Sequence, residues 1–157
     1  MSTKALACFP KGISREIKPL LEAVKERSRQ IFQPLCWISG DPNPTNWGIR
    51  NTGKLVLFDW ERAGYGHPAI DLAITMPGLG TSDHSLESLI AKRYLDLWRG
   101  ADLEVPFTEQ ELTREINTAK IWSTVEFLAN HSKLLDSQTI RAFVEQFPAK
   151  LVQFQSK

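Results

Sequence analysis

Three side chains are of the kind that hold a hard cation and move a proton: Asp41, Asn46 five residues later, and Asp59. Asp41 and Asn46 share a loop with Pro42 and Pro44, which fix φ and remove backbone donors, so the loop continues neither a strand nor a regular helix. Asn51-Thr52-Gly53-Lys54 reads as a turn between residues 46–50 and the apolar run 55–58. Antiparallel pairing of those two runs sets Asn46, at the start of the first, near Asp59, at the end of the second. Two carboxylates and an amide oxygen at one spot suit Mg²⁺, which takes a few protein oxygens and keeps its other positions for water and phosphate. Phosphoryl transfer uses such a set: one Asp receives the proton of an attacking hydroxyl, while the Asn and a second Asp hold the metal. The bland alternative is that Asp41 and Asn46 cap turns and Asp59 caps the next element. D-x-x-x-x-N alone is weak; the ordered conjunction with the hairpin and the apolar strand is specific.

The elements that must position these residues follow from the flanking pattern. Residues 1–17 carry little periodicity and contain Pro10 and Gly12, so they read as an irregular lead-in. From Lys18 a helix is expected, with Pro19 in its first turn, Leu20, Leu21, Val24 and Ile31 on one face, and an end before Pro34. Residues 35–38 read as a short buried strand that delivers the Asp41 loop. Residues 60–68 are dense in turn formers and read as a loop, after which Pro68 opens a helix through Leu72 and Ala73. Asp71 on its first turns is a favourable charge near a helix N-terminus. Pro77-Gly78-Leu79-Gly80 lacks the third Gly and the Lys of a phosphate loop and reads as a connector.

A helix from about Ser85 to Arg99 is closed by Gly100. Thr108 with Glu111 forms a capping box that starts a long helix with Leu112, Ile116, Ala119, Trp122 and Val125 inside. A last helical segment begins at Ser137, carries Ile140, Phe143, Val144 and Phe147, and is interrupted by Pro148. His67, His84 and His131 form no ligand set by spacing and read as turn or surface residues.

Composition narrows the function classes. The 157 residues are 42% hydrophobic, with five Trp and eight Phe, enough for one domain with a sizeable core. Nineteen basic against 18 acidic side chains leave a net charge of +1, which gives no reason to expect nucleic acid or an acidic membrane surface as partner. Cys8 and Cys36 have no metal-like spacing, so reduced thiols and a cytoplasmic setting are the simplest reading. No apolar run approaches the length of a membrane span, and none precedes the Ala5-Leu6-Ala7-Cys8 stretch in the manner of a lipoprotein signal.

The stretch from Trp37 to Ala73 resembles the C-terminal lobe of the aminoglycoside phosphotransferase and choline kinase-like family, relatives of the protein kinases. The residues that carry the resemblance are Ser39-Gly40-Asp41 through Asn46, the hairpin, Phe58-Asp59-Trp60-Glu61, and Pro68-Ala69-Ile70-Asp71-Leu72-Ala73. It implies a mainly helical α+β lobe over residues 18–157, in which a short β-hairpin carries the active-site loop. It implies Asp41 as the catalytic residue, Asn46 and Asp59 as Mg²⁺ ligands, and Asp71 as the residue bracing the loop. ATP is the implied co-substrate and a small-molecule hydroxyl the acceptor.

Two departures bear on activity. Ser39 stands where the family usually has His, keeping a hydroxyl for a local bond but losing the imidazole's bulk. Residues ahead of the loop show no Gly-rich hairpin and no strand Lys paired to a helix Glu, so the N-terminal nucleotide lobe is read as absent. A lone lobe of this kind is expected to be a poor kinase, since phosphoryl transfer depends on positioning and charge neutralisation. Three readings stay open. The chain is the C-lobe of a small-molecule kinase, completed by a nucleotide-binding lobe or partner chain; or it is a non-catalytic small-molecule-binding or regulatory module derived from one; or it is an unrelated metal-dependent hydrolase. The last would call for a further carboxylate cluster or His ligands, which are not visible.

Overall fold

The computed structural model describes residues 6–7, 9, 11–76, 84–131, 134–140 and 142. Its elements are helix α1 (Lys11–Arg27), strands β1 (Cys36–Ile38), β2 (Trp47–Ile49), β3 (Leu55–Leu57) and β4 (Gly64–Gly66), and helices α2 (Pro68–Thr75), α3 (His84–Gly100) and α4 (Glu109–His131). Single 3₁₀ turns lie at Gln30–Phe32 and Pro44–Asn46. The fold is α+β and mainly helical, as expected, and among the described residues no helix is long and apolar enough to cross a membrane.

Helix α4 is the central post. Its start carries the expected capping box: the Glu111 N–H donates to Thr108 Oγ1 (3.2 Å), and Glu111 Oε2 accepts from the Thr108 N–H (2.7 Å). One side of α4, through Ile121, Val125 and Leu128, packs on Leu21 and Val24 of α1. Another, through Leu112, Ile116 and Ala119, packs on Ala69 and Ala73 of α2 and on Ala91 and Leu95 of α3. Trp122 borders both clusters. A helix buried on several sides must hide its polar groups, and the hydroxyls of Thr113, Thr118 and Thr124 do so by donating to the carbonyls of Glu109, Arg114 and Lys120 at 2.7 to 2.9 Å. Small residues on α2 and α3 let those helices approach closely, and each fully buried Leu or Ile contributes about 1.5–3 kcal/mol.

Several expectations need correction. Helix α1 begins at Lys11, so residues 11–17 are helical and not an irregular lead-in. Pro19 is inside the helix and exposed; an isolated interior proline bends a helix more readily than it fixes its start. The helix ends at Arg27, which moves Ile31 into the 3₁₀ turn and into the core beneath α2 and α3. The Leu20 side chain, Cys8, residues 77–80, the side chain of His84 and the helix continuation through Phe143 to Pro148 lie outside the described residues.

The strands form two antiparallel ribbons. In one, β1 pairs with β4, with Trp37 opposite Tyr65; in the other, β2 pairs with β3, with Trp47 opposite Leu57 and Ile49 opposite Leu55. Strand β1 is not buried: Trp37 is 68% exposed and stacks on Tyr65, with ring centroids 4.6 Å apart. A two-stranded ribbon covers one face only, so its outer side chains remain in solvent. Strand β4 occupies a stretch expected as loop; Gly64 and Gly66 carry no apolar alternation, and a side chain at Gly66 would collide with Ile38.

His67 is buried and not a surface residue. Its Nδ1 accepts from the Ala69 N–H (3.1 Å), capping α2 ahead of Pro68, and its ring packs on Phe107. Burial lowers its pKa below the usual histidine value. Its folded pKa is therefore depressed, so its contribution is intact above the unfolded value of about 6.5 and is lost as pH falls below it. Glu115, raised by burial, works in the opposite sense, and the comparison of variants isolates the histidine. Thermal melts from pH 7.5 down to 5 should show a decline that His67→Asn, a non-titrating cap, flattens. His67→Ala should destabilise by about 1 kcal/mol at neutral pH. Identical pH profiles for wild type and His67→Asn would remove His67 from this role.

Candidate active site

The loop that follows β1 is fixed by one carboxylate from α2. Asp71 Oδ2 accepts from the Ser39 N–H (2.7 Å) and from Ser39 Oγ (3.0 Å), and Asp71 Oδ1 accepts from the Gly40 N–H (2.9 Å). Ser39 is buried. Gly40 has φ +78°, and a Cβ there would collide with the carbonyl of Arg62, so only glycine fits both the dihedral and the space. Around this clamp the neighbouring groups stay neutral. Burial, then the Asp71 charge, raises the Cys36 thiol, and burial with Cys36 beside it pushes Tyr94 up to about 12.

Beyond the clamp the loop folds on itself through local bonds. Asn43 Oδ1 accepts from the Thr45 N–H (3.1 Å) and caps the Pro44–Asn46 turn. The Trp47 indole N–H donates to the Pro42 carbonyl (3.1 Å). Asn46 is the joint between the two acidic turns. Its Nδ2 donates to the Asp41 carbonyl (2.9 Å), and its own carbonyl accepts from the Phe58 N–H (2.8 Å), one residue ahead of Asp59. The hairpin thus brings the Asp41 loop and the Asp59 turn together at Asn46.

Asp59 has φ +58°, a left-handed conformation that Asp tolerates better than most residues and that concentrates at functional turns. Among the described residues, neither the Asp41 nor the Asp59 carboxylate has a hydrogen-bond or ion-pair partner. With the Nδ2 of Asn46 committed to Asp41, its Oδ1 is the amide atom able to meet a cation. Carboxylates and an amide oxygen are hard-oxygen donors, the kind Mg²⁺ takes in small number while it keeps its other positions for phosphate and water. Among the described residues no three His, Cys, Asp or Glu side chains cluster into a metal cage.

A cleft of about 710 Å³ opens beside Asp41 and runs between α2 and α4, with Ile70, Met76, Trp122 and Phe127 among its lining residues. Arg62, just past the Asp59 turn, reaches across to Glu126 of α4 (3.2 Å). That the late helical region frames a pocket is what the family resemblance implies, but this ion pair was not foreseen in the sequence. Arg62 and Glu126 are 64 residues apart, and no local pattern couples them.

Comparison with known proteins identifies one family. A model of the phosphotransferase enzyme family matches residues 5–107, a stretch that holds Ser39, Asp41, Asn46, Asp59 and Asp71 and stops ahead of α4. No curated protein and no solved structure matches the chain.

The clamp makes a measurable claim. Asp71→Ala leaves two backbone N–H groups and a hydroxyl without their acceptor, which should destabilise the protein by about 3 kcal/mol in urea unfolding. Asp71→Asn, retaining one acceptor oxygen, should lose less. Amide exchange at Ser39 and Gly40 should accelerate in both variants ahead of the α4 core. Unchanged protection at those two amides would mean that the loop is held by something else.

Proposed function

The chain belongs to the phosphotransferase enzyme family, and from that premise we propose that it is the catalytic and acceptor-binding lobe of an ATP- and Mg²⁺-dependent small-molecule kinase, built like the C-terminal lobe of a protein-kinase-like fold. The observation that carries this reading is the joint at Asn46, which ties the Asp41 loop to the Asp59 turn while both carboxylates stay unpaired. In the proposed reaction Asp41 orients the acceptor hydroxyl and receives its proton as the hydroxyl oxygen attacks the γ-phosphorus of ATP; ADP leaves. Asp59 and the Oδ1 of Asn46 would hold Mg²⁺, which neutralises charge on the phosphates. Asp71 acts through Ser39 and Gly40 by positioning the loop and touches no substrate.

The nucleotide is proposed to need a further lobe or partner chain. Around the Asp59 turn and its hairpin, Ile49, Leu55, Phe58 and Trp60 are 57% to 74% exposed, a concentration of apolar surface of the kind that marks a covered interface. A reaction drawing on ATP goes with the cytoplasm. The derived, non-catalytic binding module remains the alternative outcome of the experiment below.

Two measurements test the assignment. Titration of Mn²⁺ into the protein should broaden the NMR signals of the Asp41 loop and the Asp59 turn, and Asp59→Ala should abolish the effect; broadening that survives in Asp59→Ala would refute the metal assignment. With a nucleotide lobe from a family member supplied in cis or as a partner, the protein should transfer phosphate to a hydroxyl compound, while the 157 residues alone turn over ATP near background. Asp41→Asn should lower transfer by a factor of about 10²–10⁴ with the melting temperature unchanged. Full transfer by that variant would place the base elsewhere, and no transfer by any completed protein would favour the binding module.

A further inference from the structure

Resting on the acceptor role proposed above, we infer that the cleft beside Asp41 takes a neutral, largely apolar hydroxyl compound, an amphiphilic alcohol, and excludes polycationic amino sugars and small quaternary ammonium alcohols. The family match ends at residue 107, so the α4 wall, which decides what the cleft accepts, is read from its own chemistry.

A volume of about 710 Å³ is that of a site for a drug-sized molecule and is far more than a choline-sized cation would fill. Its apolar lining comes from three places: the 3₁₀ turn with Phe32, helix α2 with Ile70 and Met76 just past its end, and helix α4 with Trp122 and Phe127. Phe32 and Trp122 meet at 5.8 Å between ring centroids, and Phe32 is 59% exposed, so an aromatic surface stands ready for an apolar body.

The charges in the cleft are already balanced. Glu126 is held by Arg62 at 3.2 Å, and Lys120 is held by Glu87 at 3.4 Å with both side chains almost fully buried. Among the described lining residues that leaves Asp41 as the carboxylate without a partner, and the proposed reaction needs it for the attacking hydroxyl. A ligand with several ammonium groups would give up hydration and find a single unpaired carboxylate among the described lining residues in return, which is unfavourable. A neutral body on the apolar walls releases water from both surfaces, and Ser123 and Asn130 on the same wall offer a few hydrogen bonds for its polar groups.

The probe is n-hexyl β-D-glucopyranoside, used below its micelle-forming concentration, against kanamycin and choline, with binding to the full chain read by tryptophan fluorescence. The hexyl glucoside should give a saturable change that is absent in Trp122→Phe, while kanamycin and choline at the same concentration give none. Phe127→Asp, which sets an unpaired charge in the apolar wall, should weaken the glucoside about tenfold or more; should that variant fail to fold, Ser123→Asp tests the same wall one turn earlier on the helix. Saturable binding of kanamycin or choline at Trp122 in preference to the glucoside would overturn the inference. So would glucoside affinity unchanged by the wall substitutions, or no glucoside response at all. Because binding is read without turnover, its failure is separate from failure of the kinase reading. A completed protein that binds the alcohol but transfers nothing would sink the reaction and leave the cleft assignment standing.

Discussion

The grip of the Asp71 carboxylate on Ser39 and Gly40 is the constraint on which the site depends. Charge-assisted bonds from two successive backbone N–H groups, with the Ser39 hydroxyl as a third donor, fix the peptide plane from which the Asp41 loop departs. Asp71 can serve because it rides on the first turn of α2, where the helix dipole favours an anion. That turn is itself fixed by the His67 cap and by Pro68 at the first helical position. Helix α2 in turn buries Ala69 and Ala73 against α4. Core packing thus determines where α2 lies, α2 determines where Asp71 lies, and Asp71 determines where the loop begins.

The same clamp explains how Ser39 serves where related proteins usually have His. The hydroxyl donates to the oxygen that already accepts the residue's own N–H, so the braced geometry is complete without a ring. Ser39 is 3% exposed, so no solvent competes for those bonds. What an imidazole would add is bulk, which these bonds do not need.

What was legible in the sequence is what local chemistry specifies. The hairpin was legible because Asn51 to Lys54 carries turn residues, with Gly53 at φ +77°, between two runs of matching length. The capping box at Thr108 and Glu111 and the proline at the head of α2 were legible for the same reason, since each partner lies within a turn of the other. The start of α1 was not, because Pro19 at an exposed interior position looks the same in sequence as proline at a helix start. Strand β4 was hidden because Gly66 is required by its neighbour Ile38 and the two glycines carry no period of their own. The candidate site divides along the same line. Asp41, Asn46 and Asp59 sit within one loop-and-hairpin unit, whereas the Arg62–Glu126 pair and the α4 wall are products of tertiary packing.

That division has a consequence for how such a site can change. Among the described residues, the side-chain bonds that hold the Asp41 loop come from Asp71, Asn43, Asn46 and Trp47, and none comes from α4. The polar link from the acidic turns to α4 is the Arg62–Glu126 pair, whose side chains are 57% and 42% exposed. Exposed pairs of this kind typically contribute about 0–1 kcal/mol, far less than the packing of α2 on α4. The cleft-facing positions of α4, Ser123, Phe127 and Asn130, can therefore vary without moving Asp41, provided that Ile116, Ala119, Val125 and Leu128 keep the core closed. The loop proposed to carry the chemistry and the helix proposed to select the acceptor are then held in one fold by an apolar seam, with little polar coupling between them. On that proposal the acceptor changes through α4 while the reaction stays with the loop.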